Sequence, residues 1–221
     1  MKVKLIGYTK PVNIIGIENV QDLVSYCARV SNPGNQMNSE TTEKLIRYLV
    51  NHKHWSVFEM ASATLEIETT RDIARQMLRH RSFSFQEFSQ RYKEVDALVE
   101  PFVIREARLQ HPTNRQDSIE VEDQELQKMW AAKQQQIIHE AKLAYSWALK
   151  NGIAKEQARC VLPEGNTVSR LYMNGTIRSW IHYIELRSGN GTQKEHMEIA
   201  VEVGKAIAEI FPMANQFIEK G

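Results

Sequence analysis

Residues Met60 to Thr69 alternate between apolar and polar side chains, and this alternation limits the possible folds more than any other stretch of the chain. Ala61, Ala63, Leu65 and Ile67 fall on one face, and Ser62, Thr64, Glu66 and Glu68 on the other. Successive strand side chains point to opposite faces, so this is a strand with one face to bury. Lys2 to Thr9 alternates in the same way.

A one-sided strand needs a cover, and the rest of the chain supplies helices with apolar stripes. Val20 to Val30 and Ser39 to Asn51 read as helices, the second capped by Ser39. Thr70 caps a short helix over Ile73 to Leu78, with Asp72 in its first turn. Ile119 to Lys150 reads as one long helix through Met129, Lys133, Ile137, Ala141, Ala144 and Ala148, and Asn151-Gly152 stops it. Glu156 to Val161 is a short helix, Val168 to Met173 a strand, and Ile177 to Leu186 a helix. After the turn Ser188-Gly189-Asn190-Gly191, Lys194 to Phe211 is helical, with Met197, Val201, Gly204, Ile207 and Phe211 facing inward. Arg105 to Ser118 is polar and unpatterned, an exposed loop or lid. The predicted architecture is α+β: one helix-rich domain over residues 1–221, with a small, mostly antiparallel sheet packed against long helices.

Composition excludes several classes. A chain of 221 residues with net charge +1 is not built to coat nucleic acid or an anionic membrane. Two cysteines, Cys27 and Cys160, make no disulfide framework, so a reducing, cytoplasmic setting is expected. There is no charged-then-apolar leader and no apolar run long enough to span a bilayer. No metal site is expected: His52 and His54 have no further ligands nearby, and His139-Glu140 is not followed by a second histidine. His111, His139 and His196 read as surface or helix-face residues.

The unusual segment is Gln76 to Tyr92, QMLRHRSFSFQEFSQRY. Arg79, His80, Arg81 and Arg91 bracket Phe83, Phe85 and Phe88, with Ser82, Ser84 and Ser89 interleaved. Guanidinium forks bind phosphates bidentately, and aromatics suit a flat ring, so the segment points to a nucleotide. A blander reading competes: Arg71, Arg75 and Arg79 recur every four residues, as on a solvated helix face paired with Glu66 or Glu68. A single-strand stacking platform is another, against which the near-neutral charge counts.

The order of residues decides between them. Arg79-His80-Arg81, then seven residues, then Ser89 and Arg91 resembles the RHR-x7-S signature of the flavin-dependent thymidylate synthases. The likeness continues in His54-Trp55-Ser56-Val57-Phe58-Glu59, Glu156-Gln157-Ala158-Arg159, Val161-Leu162-Pro163 and Arg178-Ser179-Trp180 through Glu185-Leu186-Arg187. The resemblance implies reductive methylation of dUMP to dTMP, with 5,10-methylenetetrahydrofolate as carbon donor and FAD reduced by NADPH or NADH. It also implies a homotetramer with active sites between subunits. It assigns Ser56, Arg79, His80, Arg81 and Glu87 to FAD, with Arg178, His182 and either Asn174 or Thr176 as later contacts. Around dUMP it places Gln76, Arg79, Glu87, Ser89, Gln90 and Arg91, together with Arg159 and Arg187.

Redox catalysis by a flavin needs no protein nucleophile, which leaves positioning and electrostatics to the chain. Cys27 and Cys160 are therefore not read as nucleophiles. Arg187 is the expected catalytic group: a permanent charge against the uracil favours ionisation at N3.

Overall fold

A computed structural model of the protein describes residues 1–94, 101–189 and 191–218. The segments that alternate in sequence form strands β1 (Lys2–Tyr8) and β2 (Ser62–Thr70), and β2 buries Ala63, Leu65 and Ile67 as its pattern requires. Helices α1 (Val20–Ala28) and α2 (Thr42–Asn51) lie between them in sequence, and a 3-10 turn (Trp55–Glu59) leads into β2. Asn19 caps α1 through its side chain. The expected cap Ser39 does not cap α2, whose cap position is Thr41; Ser39 contributes its carbonyl to a turn that ends at Thr42.

Helix α3 (Arg71–Met77) follows β2 directly. Thr70 occupies its cap position, but its hydroxyl goes to Asp72 at 2.6 Å rather than to the backbone. The helix stops at Met77, one residue before the expected end at Leu78, and the chain beyond it includes strand β3 (Ser84–Glu87). The expected loop at Arg105 to Ser118 is instead a hairpin, in which β4 (Arg108–Gln110) pairs antiparallel with β5 (Ser118–Glu120).

Helix α4 (Gln124–Lys150) then begins at an Asp123 cap and stops at Gly152, whose φ of 77° suits a residue without a Cβ. Its buried residues are Gln134, Ala141, Tyr145 and Ala148; Met129 and Ile137, expected in the core, are exposed. Then come α5 (Lys155–Ala158), a 3-10 turn (Arg159–Val161), strand β6 (Val168–Thr176) and helices α6 (Ile177–Arg187) and α7 (Lys194–Ala208). Asn190, within the expected 188–191 turn, lies outside the described residues. No described helix is long and apolar enough to cross a membrane.

The larger sheet has the order β1-β2-β6-β3. Thr9 N donates to Ser62 O, so the end of β1 meets the start of β2. Ile177 N to Ala61 O and Arg71 N to Thr167 O fix β2 against β6 head to tail, and Phe88 N to Arg170 O does the same for the end of β3. All neighbours are antiparallel, as expected.

The chain forms two compact units. One gathers Met1–Ile67, His80–Gln86 and the described chain from Tyr172 onward. Its core holds Phe58, Trp180, Ile184 and Phe211, and Trp180 Nε1 donates to Ala63 O at 3.2 Å. Here Phe83 lies flat over Gly175, where an added Cβ would meet its ring at 2.4 Å. The buried face of α7 runs through His196, Ile199, Ala200, Val203 and Ile207. Gly204, Ile207 and, past the helix end, Phe211 are buried as expected, whereas Met197 and Val201 are only half-buried and His196 takes the inner face at the start of the helix.

The other unit gathers Glu68–Arg79 and the described part of Glu87–Leu171. Tyr145 and Ala148 of α4 pack on Ala158 with Leu149 and Leu162, which seats the turn carrying Arg159. Two glutamines of α4 bind backbone: Gln134 exchanges hydrogen bonds with Arg105 N and O at 2.9 and 2.8 Å, and Gln127 with Ala107 N and O at 2.7 and 2.9 Å.

Candidate functional site

Arg71 and Arg75 stand one turn apart at the start of α3, so their side chains share a face. Neither pairs with Glu66 or Glu68; Glu68 instead accepts from Arg170. Glu87 of β3 accepts from Arg71 at 3.4 Å, from Arg75 at 3.3 Å and from the Ser169 hydroxyl at 2.8 Å. Glu164 takes a further contact from Arg75 at 3.3 Å. Burial lowers the Arg71 guanidinium from its ordinary value, Glu87 pulls it back up, and Arg75 adds a smaller downward push.

These arginines line an open pocket of about 370 Å³ together with Gln90, Glu156, Arg159, Cys160, Leu162 and Glu164. Gln90 is buried and its Nε2 has no partner among the described residues, which leaves a desolvated donor at the pocket. Arg159 donates from Nε to Glu156 O at 3.3 Å, and its charged fork makes no ion pair among the described residues. The ion pairs of Arg71 and Arg75 exceed the 2.7–2.9 Å of a well-formed charged hydrogen bond, so an incoming anion meets weakly held guanidiniums. Arg91 pairs with Glu156 at 3.5 Å on the outside. Gln76, Arg79 and Ser89 belong to the same unit but do not line the pocket; Arg79 and Ser89 are exposed.

The other unit carries a different cluster. Arg187, in the last turn of α6, donates from Nε to His80 Nε2 at 3.0 Å. Guanidinium Nε–H can only donate, so the His80 ring accepts at Nε2 and carries its proton on Nδ1. Arg187 makes no ion pair with a carboxylate among the described residues, and its terminal amino groups are left for other partners. Tyr183, one turn back on α6, presents its ring edge to His80 at 5.0 Å and binds His196 Nε2 through its hydroxyl at 3.0 Å. His196, expected at the surface, is fully buried.

Near the Trp55–Glu59 turn, Arg178 forms an ion pair with Glu59, and the His182 and Trp55 rings meet edge to face with their centres 4.4 Å apart. Burial, and then Arg178, lower the His182 imidazole from its ordinary value. Ser56 and Arg81 are exposed. Thr176 caps α6 by accepting from Ser179 N, whereas Asn174 donates to Thr64 Oγ1 at 2.7 Å. Cys27 is half-buried, and burial raises its thiol.

Arg71 and Arg75 escape the sequence reading because their acceptors lie 16 and 89 residues away. The four-residue arginine spacing was the available signal, and nearby Glu66 and Glu68 offered a local explanation for it.

Residues 6–213 match the family described as "Thymidylate synthase complementing protein". A probable flavin-dependent thymidylate synthase of Paramecium bursaria Chlorella virus 1 is 48% identical over 96% of this chain and 96% of its own length. The flavin-dependent thymidylate synthase of Synechocystis sp. is 46% identical over 99% of this chain and 100% of its own. Among solved structures, the UMP/dUMP methylase PolB of Streptomyces cacaoi, bound with 5-Br dUMP, superimposes with a TM-score of 0.81 at 27% identity, covering 98% of this chain and 93% of that one.

Proposed function

Because this chain belongs to the flavin-dependent thymidylate synthase family, we propose that it converts dUMP to dTMP by reductive methylation, with 5,10-methylenetetrahydrofolate donating the carbon and tetrahydrofolate leaving. The observation that carries the reading is the arginine-lined pocket with its unpaired Gln90 donor. A nucleotide phosphate satisfies both, since it accepts from guanidinium forks and from an amide N–H. Arg159 and Arg71 hold the phosphate, Gln90 donates to it or to the sugar, and Glu87 keeps the two α3 arginines in place. Gln76, Ser89 and Arg91 complete the dUMP shell.

Arg187 acts on the pyrimidine. Its charge is not offset by a carboxylate, so it stabilises negative charge developing on the ring. Arg79, Arg81 and Arg178 are cations suited to a pyrophosphate, which fits FAD without a glycine-rich loop; Ser56, His80, Glu87, His182 and Asn174 or Thr176 complete that set. When bound, FAD supplies hydride transfer, taking its electrons from NADPH or NADH.

We assign residues 1–221 to one domain, because each compact unit is assembled from separated chain segments and β2 and β6 run through both. A single unfolding transition supports this, and two resolved transitions overturn it. The working form is a homotetramer with active sites between subunits, in a reducing cytoplasm. An apolar stripe on α4 supports assembly: Met129, Trp130, Ile137, Leu143 and Trp147 are exposed within an arc of roughly 140° at 100° per residue.

The test is the absorbance spectrum of purified protein with FAD under anaerobic NADPH, with and without dUMP. Flavin bands that bleach at a rate dependent on dUMP support the reading. Absence of retained flavin together with absence of a dUMP effect overturns it.

A further inference from the structure

Behind Arg187 lies a polar pair that no ligand reaches. His196 sits in the first turn of α7, fully buried, with Tyr183 equally enclosed. Their hydrogen bond is 3.0 Å long. Burial, then the charge of Arg187 and then that of a protonated His80, hold the His196 imidazole neutral by pushing it down to about 3. Burial likewise pushes the Tyr183 phenol above its ordinary value. Both rings stand edge-on to His80, Tyr183 at 5.0 Å and His196 at 6.3 Å. His80 in turn accepts the Nε proton of Arg187.

We infer that Tyr183 and His196 are positioning residues: a buried, uncharged hydrogen-bonded pair that fixes the His80 ring and, through it, the direction of the Arg187 fork. This rests on the reading of Arg187 as the pyrimidine-facing group. Burying a phenol and an imidazole in a core costs free energy unless they bond to each other, and a plain Phe–Leu pair would fill the space more simply. Because the pair is neutral, it braces Arg187 without offsetting or doubling its charge. The guanidinium has several rotatable bonds; tying Nε to a ring that cannot itself turn removes that freedom before substrate arrives.

The experiment is a double-mutant cycle in the FAD-loaded enzyme. Tyr183→Phe is expected to lower kcat about tenfold, with dUMP and FAD affinities within about twofold and the melting temperature nearly kept. In an Arg187→Ala background the same change should cost almost nothing further, because the group being aimed is gone. His196→Gln, whose amide can still bond the phenol, should retain most of the rate, whereas His196→Leu should not. Equal losses from Tyr183→Phe in both backgrounds would overturn the inference, as would full activity in Tyr183→Phe and His196→Leu. If Tyr183→Phe does not fold, the His196 pair carries the same cycle; failure of all three to fold means a purely structural role and also overturns it. Full turnover by Arg187→Ala alone sinks the reading of Arg187 itself, and that result is seen before any Tyr183 variant is made.

Discussion

The two arginine clusters of this protein hold their charge in opposite ways. Arg71 and Arg75 share the carboxylates of Glu87 and Glu164, so their charge is balanced and an anion must compete for it. Among the described residues, Arg187 bonds to the His80 ring rather than to a carboxylate, with Tyr183 and His196 behind it. The first arrangement suits binding: a phosphate dianion replaces weak contacts with better ones. The second suits catalysis, where an uncompensated charge in a partly desolvated place acts most strongly on charge that appears only in the transition state. Counting arginines in the sequence does not separate the two; what surrounds each one does.

The largest test of this contrast is Arg187→Ala. It should leave a folded protein that binds FAD and dUMP but turns over roughly a hundredfold slower or worse, the scale of a lost transition-state donor. A rise in the dUMP KM with kcat unchanged would instead place Arg187 with the binding arginines. Next in size, Arg71→Ala should raise the dUMP dissociation constant roughly tenfold or more with little change in kcat, as loss of a charged hydrogen bond predicts. Isothermal titration reads it, and unchanged affinity would remove the phosphate from this pocket.

Third comes a pH effect confined to the neutral cluster. The folded His196 value of about 3 lies below the ordinary unfolded value near 6.5. Unfolding therefore takes up a proton at any pH between the two, and stability falls as pH drops below about 6.5, by up to ~1.4 kcal/mol per unit. Melting curves from pH 7 to 4 should show a shallower decline in His196→Gln; identical slopes would mean that His196 is not held neutral. Ser89→Ala should weaken dUMP handling by a few-fold, since the exposed hydroxyl can offer a ligand one neutral hydrogen bond. A dead but folded enzyme would give Ser89 a larger role. Smallest, Glu164→Gln should tighten dUMP about twofold by removing a competing carboxylate from the half-exposed Arg75. Weakened binding would show that Glu164 holds Arg75 in place rather than competing for it.

What the sequence reveals follows from how local each pattern is. β2 and α6 are legible because a buried face repeats every two residues or every three to four within one element. The β4–β5 hairpin is not, because strands of three residues with no buried face carry no alternation. At the start of α7 the pattern misleads, because Met197 is more apolar than His196, yet His196 is the one buried, and its partner lies on another helix; from Gly204 to Phe211 the expected face is the buried one. Gln76 to Tyr92 was readable as an anion-handling stretch, while Arg71 and Arg75 were not, since their pairing depends on strand β3 and on Glu164 far along the chain.

The paired glutamines of α4 have a consequence for how this chain tolerates insertions and deletions. Each amide turns one N–H and its carbonyl oxygen toward the backbone, the same pair a peptide unit offers, so Gln127 and Gln134 hold Ala107 and Arg105 as a neighbouring strand would. That ladder sets a register. Deleting Glu106 would shift one side against the other and cost the buried Gln134 amide its two bonds to Arg105, leaving it those with Asn166 and Trp130. Beyond the ladder, the exposed hairpin tip over residues 111–117 is gathered by the Gln110 amide, which donates to the carbonyls of His111, Asn114 and Asp117, so added residues there should cost no more than these solvent-exposed hydrogen bonds.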